Sequence, residues 1–222
     1  MEIKWSASPN YREGRNGYSP IIIVNHITAG SFPGCLSWMC NTEAQGSAHF
    51  LVTKSGEIYQ LVDENNTAWA NGYIEGASVD LDLVLQGINP NYYSLSIEHE
   101  GQPGDTMPEE QYQATLWLHN YLINKYNIII DNNHIIGHYR LDSVDRPNCP
   151  GSGFPWDRLF TDLTTQEVDK MLEQWQIDLG TKSVNELAQK GLIKNPEDAI
   201  KELADSIPAW KLYTLINRIY TK

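Results

Sequence analysis

At 222 residues, with 41% hydrophobic and 10% aromatic side chains, the chain is long enough for one well-buried domain and a modest appendage. No apolar run approaches the roughly 18 residues of a membrane span. The net charge of −12 argues against a general nucleic-acid binder, which needs basic surface to meet phosphates. Three cysteines, Cys35, Cys40 and Cys149, argue against a disulfide framework and leave room for a metal-bound thiolate. The charge is uneven: residues 1–169 carry 8 basic and 21 acidic side chains, residues 170–222 carry 8 and 7.

In chain order, polar residues 11–20 form an irregular lead-in, and Ile21 to Asn25 is a β-branched run too short for a helix, ending at His26. Cys35 to Thr42 predicts a short helix with Leu36 and Met39 facing in. SAHFLVT, a glycine-containing turn and IYQLV predict a β-hairpin over residues 47–62. No structure is assignable over 77–93, after which LSIEH, residues 95–99, is another strand. Thr106 to Glu109 has capping-box spacing and opens a helix over Glu110 to Tyr126, and residues 134–138 return as a strand. Strand ends thus recur at His26, Glu98 and His138. An α/β fold, a mixed central sheet flanked by helices, accounts for this order.

A second capping box at Thr164 to Glu167 predicts a helix ended by Gly180. Short helices follow at 184–190, stopped by Gly191, at 196–204, with Asn195 as N-cap, and at 209–220. The expected domains are 1–163, a linker helix over 164–180 and a small all-α unit over 181–222. About 42 residues are marginal for an independent core, so that unit is expected to dock on the first domain, to pair with another copy as a homo-oligomer, or to bind something that orders it.

His138 and Cys149 lie in the turn-rich stretch GHYRLDSVDRPNCPG, and with His26 they supply the three protein ligands of a catalytic zinc that keeps a fourth position open. Glu98, at a neighbouring strand end, suits a general base that takes a proton from attacking water. Each residue alone has a plainer reading: a lone histidine is more often a hydrogen-bonded structural residue, and a lone cysteine a small buried thiol. The functional reading rests on the four together.

The motifs IIIVNHITAG, GSAHFLVTKSGEIYQLV, TAWANG, YSLSIEHEG and IIGHYRLDSVDRPNCPG, in that order over roughly residues 20–160, resemble the zinc-dependent N-acetylmuramoyl-L-alanine amidases, whose fold is that of the peptidoglycan-recognition proteins. The resemblance implies cleavage of the amide between N-acetylmuramic acid and L-alanine of peptidoglycan, Zn2+ on His26, His138 and Cys149, and Glu98 as the catalytic carboxylate. His49, Trp69 and Asn71 are expected to line the groove for the peptide stem. Two departures stand out. Where many members carry an oxyanion-stabilising lysine two residues before the cysteine, this chain has Pro147, with Arg146 beside it; Arg146 either takes that role or pairs with Asp142 or Asp145. Ala70 and Ala48 replace a histidine and a tyrosine found in some members.

The C-terminal unit resembles, more weakly, the helical tails of phage and prophage lytic enzymes. The N-terminus lacks the basic region and apolar core of a signal peptide, so an endolysin held in the cytoplasm until release to the wall is expected, with neither membrane insertion nor nucleic acid as partner. The competing expectation is a peptidoglycan-recognition module that binds without cutting.

Overall fold

The computed structural model describes residues 1–201. These divide at Thr164/Thr165 between two compact units, one of them Met1–Thr164.

The first unit is built on a six-stranded sheet. Its strands are β1 (Ile3–Trp5), β3 (Ile22–Ile27), β4 (Phe50–Val52), β5 (Ile58–Gln60), β7 (Ser94–His99) and β8 (Ile135–Gly137), in the spatial order β1-β5-β4-β7-β3-β8. A two-residue pair, β2 (Tyr11–Arg12) with β6 (Thr67–Ala68), stands apart. Within the six-stranded sheet only β4 and β5, the expected hairpin, pair antiparallel; β3 is parallel to both β7 and β8. Helices α1 (Gly34–Met39), α2 (Asp82–Leu85) and α3 (Glu109–Tyr126) complete the unit, which is the predicted mixed sheet flanked by helices.

The sheet is buried on both faces, which is why Ile22, Ile23 and Val24 form a continuous apolar run instead of an alternating one. Ile23, Phe50, Leu95 and Ile97 pack with Leu118 and Leu122 of α3 and with Leu159 and Leu163. Ile22, Val24 and Ile136 pack on the opposite face with Val84 of α2, Tyr93 and Leu141. Side chains alternate between faces along a strand, so His26 follows Ile22 and Val24, and Glu98, level with His26 across β7, shares that face.

Three local expectations are corrected. Helix α3 begins after Pro108, whose carbonyl accepts from the Tyr112 amide at 2.9 Å, and its N-cap has no side-chain bond, so the Thr106 capping box does not form. The next helix, α4 (Trp156–Gln189), starts eight residues earlier than the Thr164 box, just after Pro155, because burial of Leu159 and Leu163 draws the segment onto the core. It also runs through Gly180 without a break; one interior glycine costs only about 1 kcal/mol. Its end coincides with Gly191 at φ +73°, the left-handed conformation that terminates helices.

In the second unit, α4 continues past Thr165 with Met171, Trp175 and Leu179 exposed four residues apart, and α5 spans Pro196–Lys201. The helix expected over 209–220 lies outside the described residues. Among the described residues no helix is long and apolar enough to cross a membrane.

Several histidines are buried as neutral rings. His119 on α3 donates from Nδ1 to the Thr115 carbonyl at 2.8 Å, and burial lowers its pKa to about 4 from an ordinary 6.5. Burial likewise lowers His49 and His99 to about 3. The unfolded chain therefore takes up protons at higher pH than the folded one, so the stability these residues confer is present above pH 6.5 and is lost as pH falls toward 3–4. Urea titrations should give a falling unfolding free energy between pH 7 and pH 5, with a shallower slope in His119→Gln; equal slopes would remove His119 from the effect.

Candidate metal centre and active site

Three strands deliver the site to one edge of the sheet. Parallel pairing places His26 opposite Glu98, and Asn25 opposite Gly137, the residue before His138. These are carboxyl ends of parallel strands, where open α/β sheets form their crevices. Cys149 arrives from the loop beyond β8, tied back by the Tyr139 amide donating to its carbonyl at 3.0 Å.

Within that loop, Asp142 Oδ1 accepts from the amides of Val144, at 3.1 Å, and Asp145, at 2.9 Å. The Cys149 amide donates to the Arg146 carbonyl at 3.2 Å, closing a turn with Pro147 at its second position, where proline's fixed φ fits.

The donor atoms of His26, His138 and Cys149 lie within 4.8 Å of one another, and no other such trio occurs among the described residues. The two imidazoles stand edge to face at 4.5 Å between ring centres. His26 Nδ1 is 3.9 Å from Cys149 Sγ, close to the roughly 3.6 Å between a nitrogen and a sulfur on one tetrahedral zinc. His138 donates from Nε2 to the Asn71 carbonyl at 3.0 Å, leaving Nδ1 for the cluster. The residues present therefore fit a metal of the zinc type.

Burial dominates the electrostatics. Desolvation, aided by the neighbouring His138 and His99, holds His26 well below its ordinary pKa, so the ring is neutral as a ligand must be. Burial and then the Glu98 charge push the Cys149 thiol up to about 12, a preference that a coordinated cation reverses. Burial alone raises Glu98 to about 7, and its Oε2 is buried without a hydrogen-bond partner.

The four residues form the floor of a cleft of about 760 Å³ whose rim includes Trp38, Gln45 to Ser47, Trp69, Gly72 and residues 145–148. Trp38 escaped the sequence reading; an indole in a short helix otherwise expected to point inward was the available signal. Asp142 was also missed as the loop's organiser, though an aspartate two residues before Val144 is an Asx-turn signature.

Of the three groove residues expected, Trp69 lines the cleft. His49 does not: it lies just before β4, its amide donating to the Ser96 carbonyl two residues before Glu98, and is fully buried. Its Nδ1 accepts from the Ser96 amide at 3.1 Å, and its Nε2 lies 2.8 Å from the Arg15 guanidinium. Asn71 is fully buried as well, its Nδ2 donating to Ser94 Oγ at 2.8 Å. Neither side chain can meet substrate from there.

Arg146 lines the cleft and donates to its neighbour's carbonyl, Asp145 O, at 3.0 Å. Its guanidinium makes no ion pair among the described residues, and the Asp142 carboxylate is already occupied by amides, so the pairing alternative is not realised. Its charge acts on His26, His138 and Cys149. Ala70 lines the cleft, while Ala48 is in the core.

A family model described as N-acetylmuramoyl-L-alanine amidase matches residues 16–152. N-acetylmuramoyl-L-alanine amidase A of Achromobacter lyticus is 28% identical over 180 residues, 72% of this chain and 92% of that protein. The 1,6-anhydro-N-acetylmuramyl-L-alanine amidase AmpD of Enterobacter cloacae is 32% identical over 120 residues, 54% of this chain and 58% of that protein, so the chain spans little more than half of that relative. A crystal structure of a Se-Met AmpD derivative superposes with a TM-score of 0.57 at 26% identity, covering 73% of this chain and 94% of that one. With more than half of its length matched by the family model, and with the fold and the cleft in agreement, the chain belongs to the N-acetylmuramoyl-L-alanine amidase family.

Proposed function

We propose that the protein is a zinc-dependent hydrolase that cuts the amide between N-acetylmuramic acid and L-alanine in peptidoglycan, with His26, His138 and Cys149 as metal ligands and Glu98 as acid–base. The observation that carries this reading is the juxtaposition of two neutral histidines and a cysteine with a buried, unpaired carboxyl at the floor of one cleft. Zinc bound there supplies a Lewis acid for the scissile carbonyl and lowers the pKa of a water.

Glu98 accepts a proton as the water oxygen bonds to the lactyl carbonyl carbon, and returns it to the alanine nitrogen as the C–N bond breaks. A carboxyl with a pKa near 7 is suited to both transfers. Arg146 faces the charge that develops on the carbonyl oxygen, and a guanidinium keeps its charge at any working pH. Trp69 and Trp38 offer indole faces to the sugar and stem.

The near-neutral segment after residue 170 is repelled less by anionic wall polymers than the acidic first unit is, and we assign it wall contact. Full-length protein should then pellet with purified walls at low salt, and a chain ending at Thr164 should pellet less; equal pelleting would leave the segment without that role.

Incubation with purified peptidoglycan should release new L-alanine amino termini, and a chelator should abolish the release. Wall binding without new termini would instead mark a recognition module. Glu98→Ala should lower kcat by about 10²- to 10⁴-fold while elemental analysis still finds the metal; near-normal turnover would take Glu98 out of the mechanism.

Arg146→Ala should lower kcat by on the order of 10²-fold with KM little changed, as when one transition-state donor is removed. Arg146→Lys should recover part of the loss. A change confined to KM would make Arg146 a binding residue instead.

A further inference from the structure

One pair of buried polar atoms beside the cluster has no role in the steps above. His26 Nε2 and Asn71 Oδ1 are both inaccessible, and neither completes a hydrogen bond of ordinary length and angle. His26 turns Nδ1 toward Cys149, so a neutral ring ligating through Nδ1 carries its hydrogen on Nε2. A buried N–H without an acceptor is costly, and an unpaired amide oxygen is what such a group requires.

Asn71 is fixed in place. It is fully buried, its amide N–H donates to Asn91 Oδ1 at 2.9 Å, and its Nδ2 donates to Ser94 Oγ at 2.8 Å. With the NH2 end of the carboxamide engaged by Ser94, the oxygen end is left for another donor. The Asn71 side chain is a neighbour of the His26 ring. From its other end, the Asn71 carbonyl accepts from His138 Nε2 at 3.0 Å.

We propose that Asn71 is a positioning residue for both histidines: its side-chain oxygen holds His26, and its backbone carbonyl holds His138, in the Nε2–H tautomer that presents Nδ1 to the metal. The inference rests on the zinc reading above. It explains why a polar residue is buried at a position from which it cannot reach substrate. Partners of this kind fix ring orientation and raise ligand basicity, and their loss typically lowers metal affinity by about 10–100-fold.

The test measures zinc affinity by competition with a chromophoric chelator, and reads the histidine tautomers in imidazole ¹H–¹⁵N spectra of the zinc-loaded protein. Asn71→Ala should bind zinc about 10–100-fold more weakly and lose the exchange-protected His26 Nε2–H signal, while His138, held by the backbone, keeps its own. Asn71→Asp retains an acceptor oxygen and should restore both affinity and the His26 signal, a rescue that a merely space-filling role would not give. If the alanine variant does not fold, the aspartate variant decides: affinity at or above that of the unaltered protein supports the inference, and a tenfold loss overturns it. Folded Asn71→Ala with unchanged affinity and an unchanged His26 signal overturns the inference alone, whereas an unaltered protein that takes up no zinc overturns the metal reading and the inference together.

Discussion

The in-register parallel pairing of β3 with β7 and β8 fixes everything at the cleft floor. Because His26 is level with Glu98 and Asn25 with Gly137, His26, the Glu98 carboxyl and the residue before His138 reach one edge together. Strand side chains alternate, so slipping β7 by a single residue would turn Glu98 into the α3 core and bring a core residue to the site. What prevents the slip is burial on both faces: Ile22, Ile23, Val24, Leu95 and Ile97 leave no register in which the apolar set is equally covered.

A second constraint acts on the loop that passes over this edge. Arg15, nearly buried, donates to the carbonyls of Glu64, at 2.5 Å, and Ser94, at 3.0 Å, and contacts His49. Asn91 Oδ1 accepts from the amides of Ala70 and Asn71, and Ser47 exchanges bonds with the Trp69 backbone. These contacts hold residues 64–71 against the sheet, leaving the Trp69 indole at the cleft and Asn71 beneath it. His49 thus contributes from within the core, by supporting the loop that carries the groove residue.

Strands β3, β7 and β8, the hairpin and α3 were legible in the sequence because each is a short apolar or periodic run bounded by turn residues, whereas β1, β2, β6 and α2, of two to four residues each, leave no such pattern. The convergence of His26, Glu98 and His138 was legible too, since each ends a strand and parallel sheets gather such ends. The helix starts were misread because Thr106 and Thr164 mimic capping boxes, whereas Pro108 and Pro155 govern where the chain can enter a helix. Gly180 misled for a similar reason: a glycine permits a helix end without imposing one. His49 and Asn71 are expected at the groove from the amidase-like motifs they sit in, and a motif gives order along the chain but neither the depth of a side chain nor what covers it.

The replacement of the expected lysine by Pro147 has a geometric reading. Pro147 occupies the second position of the turn closed by the Cys149 amide on the Arg146 carbonyl at 3.2 Å, a corner that proline's fixed φ stabilises. Residues 146 and 149 are the two ends of that turn and so are brought close across it. The cation has moved one residue earlier, from the corner to an end hydrogen-bonded to the cysteine, and an arginine there still places its charge where His26, His138 and Cys149 feel it. Its guanidinium is free of carboxylate partners among the described residues, and one of the two candidates, Asp142, is engaged in shaping the same loop. The substitution therefore preserves a positive charge at the cleft by pairing an arginine with the turn that positions it.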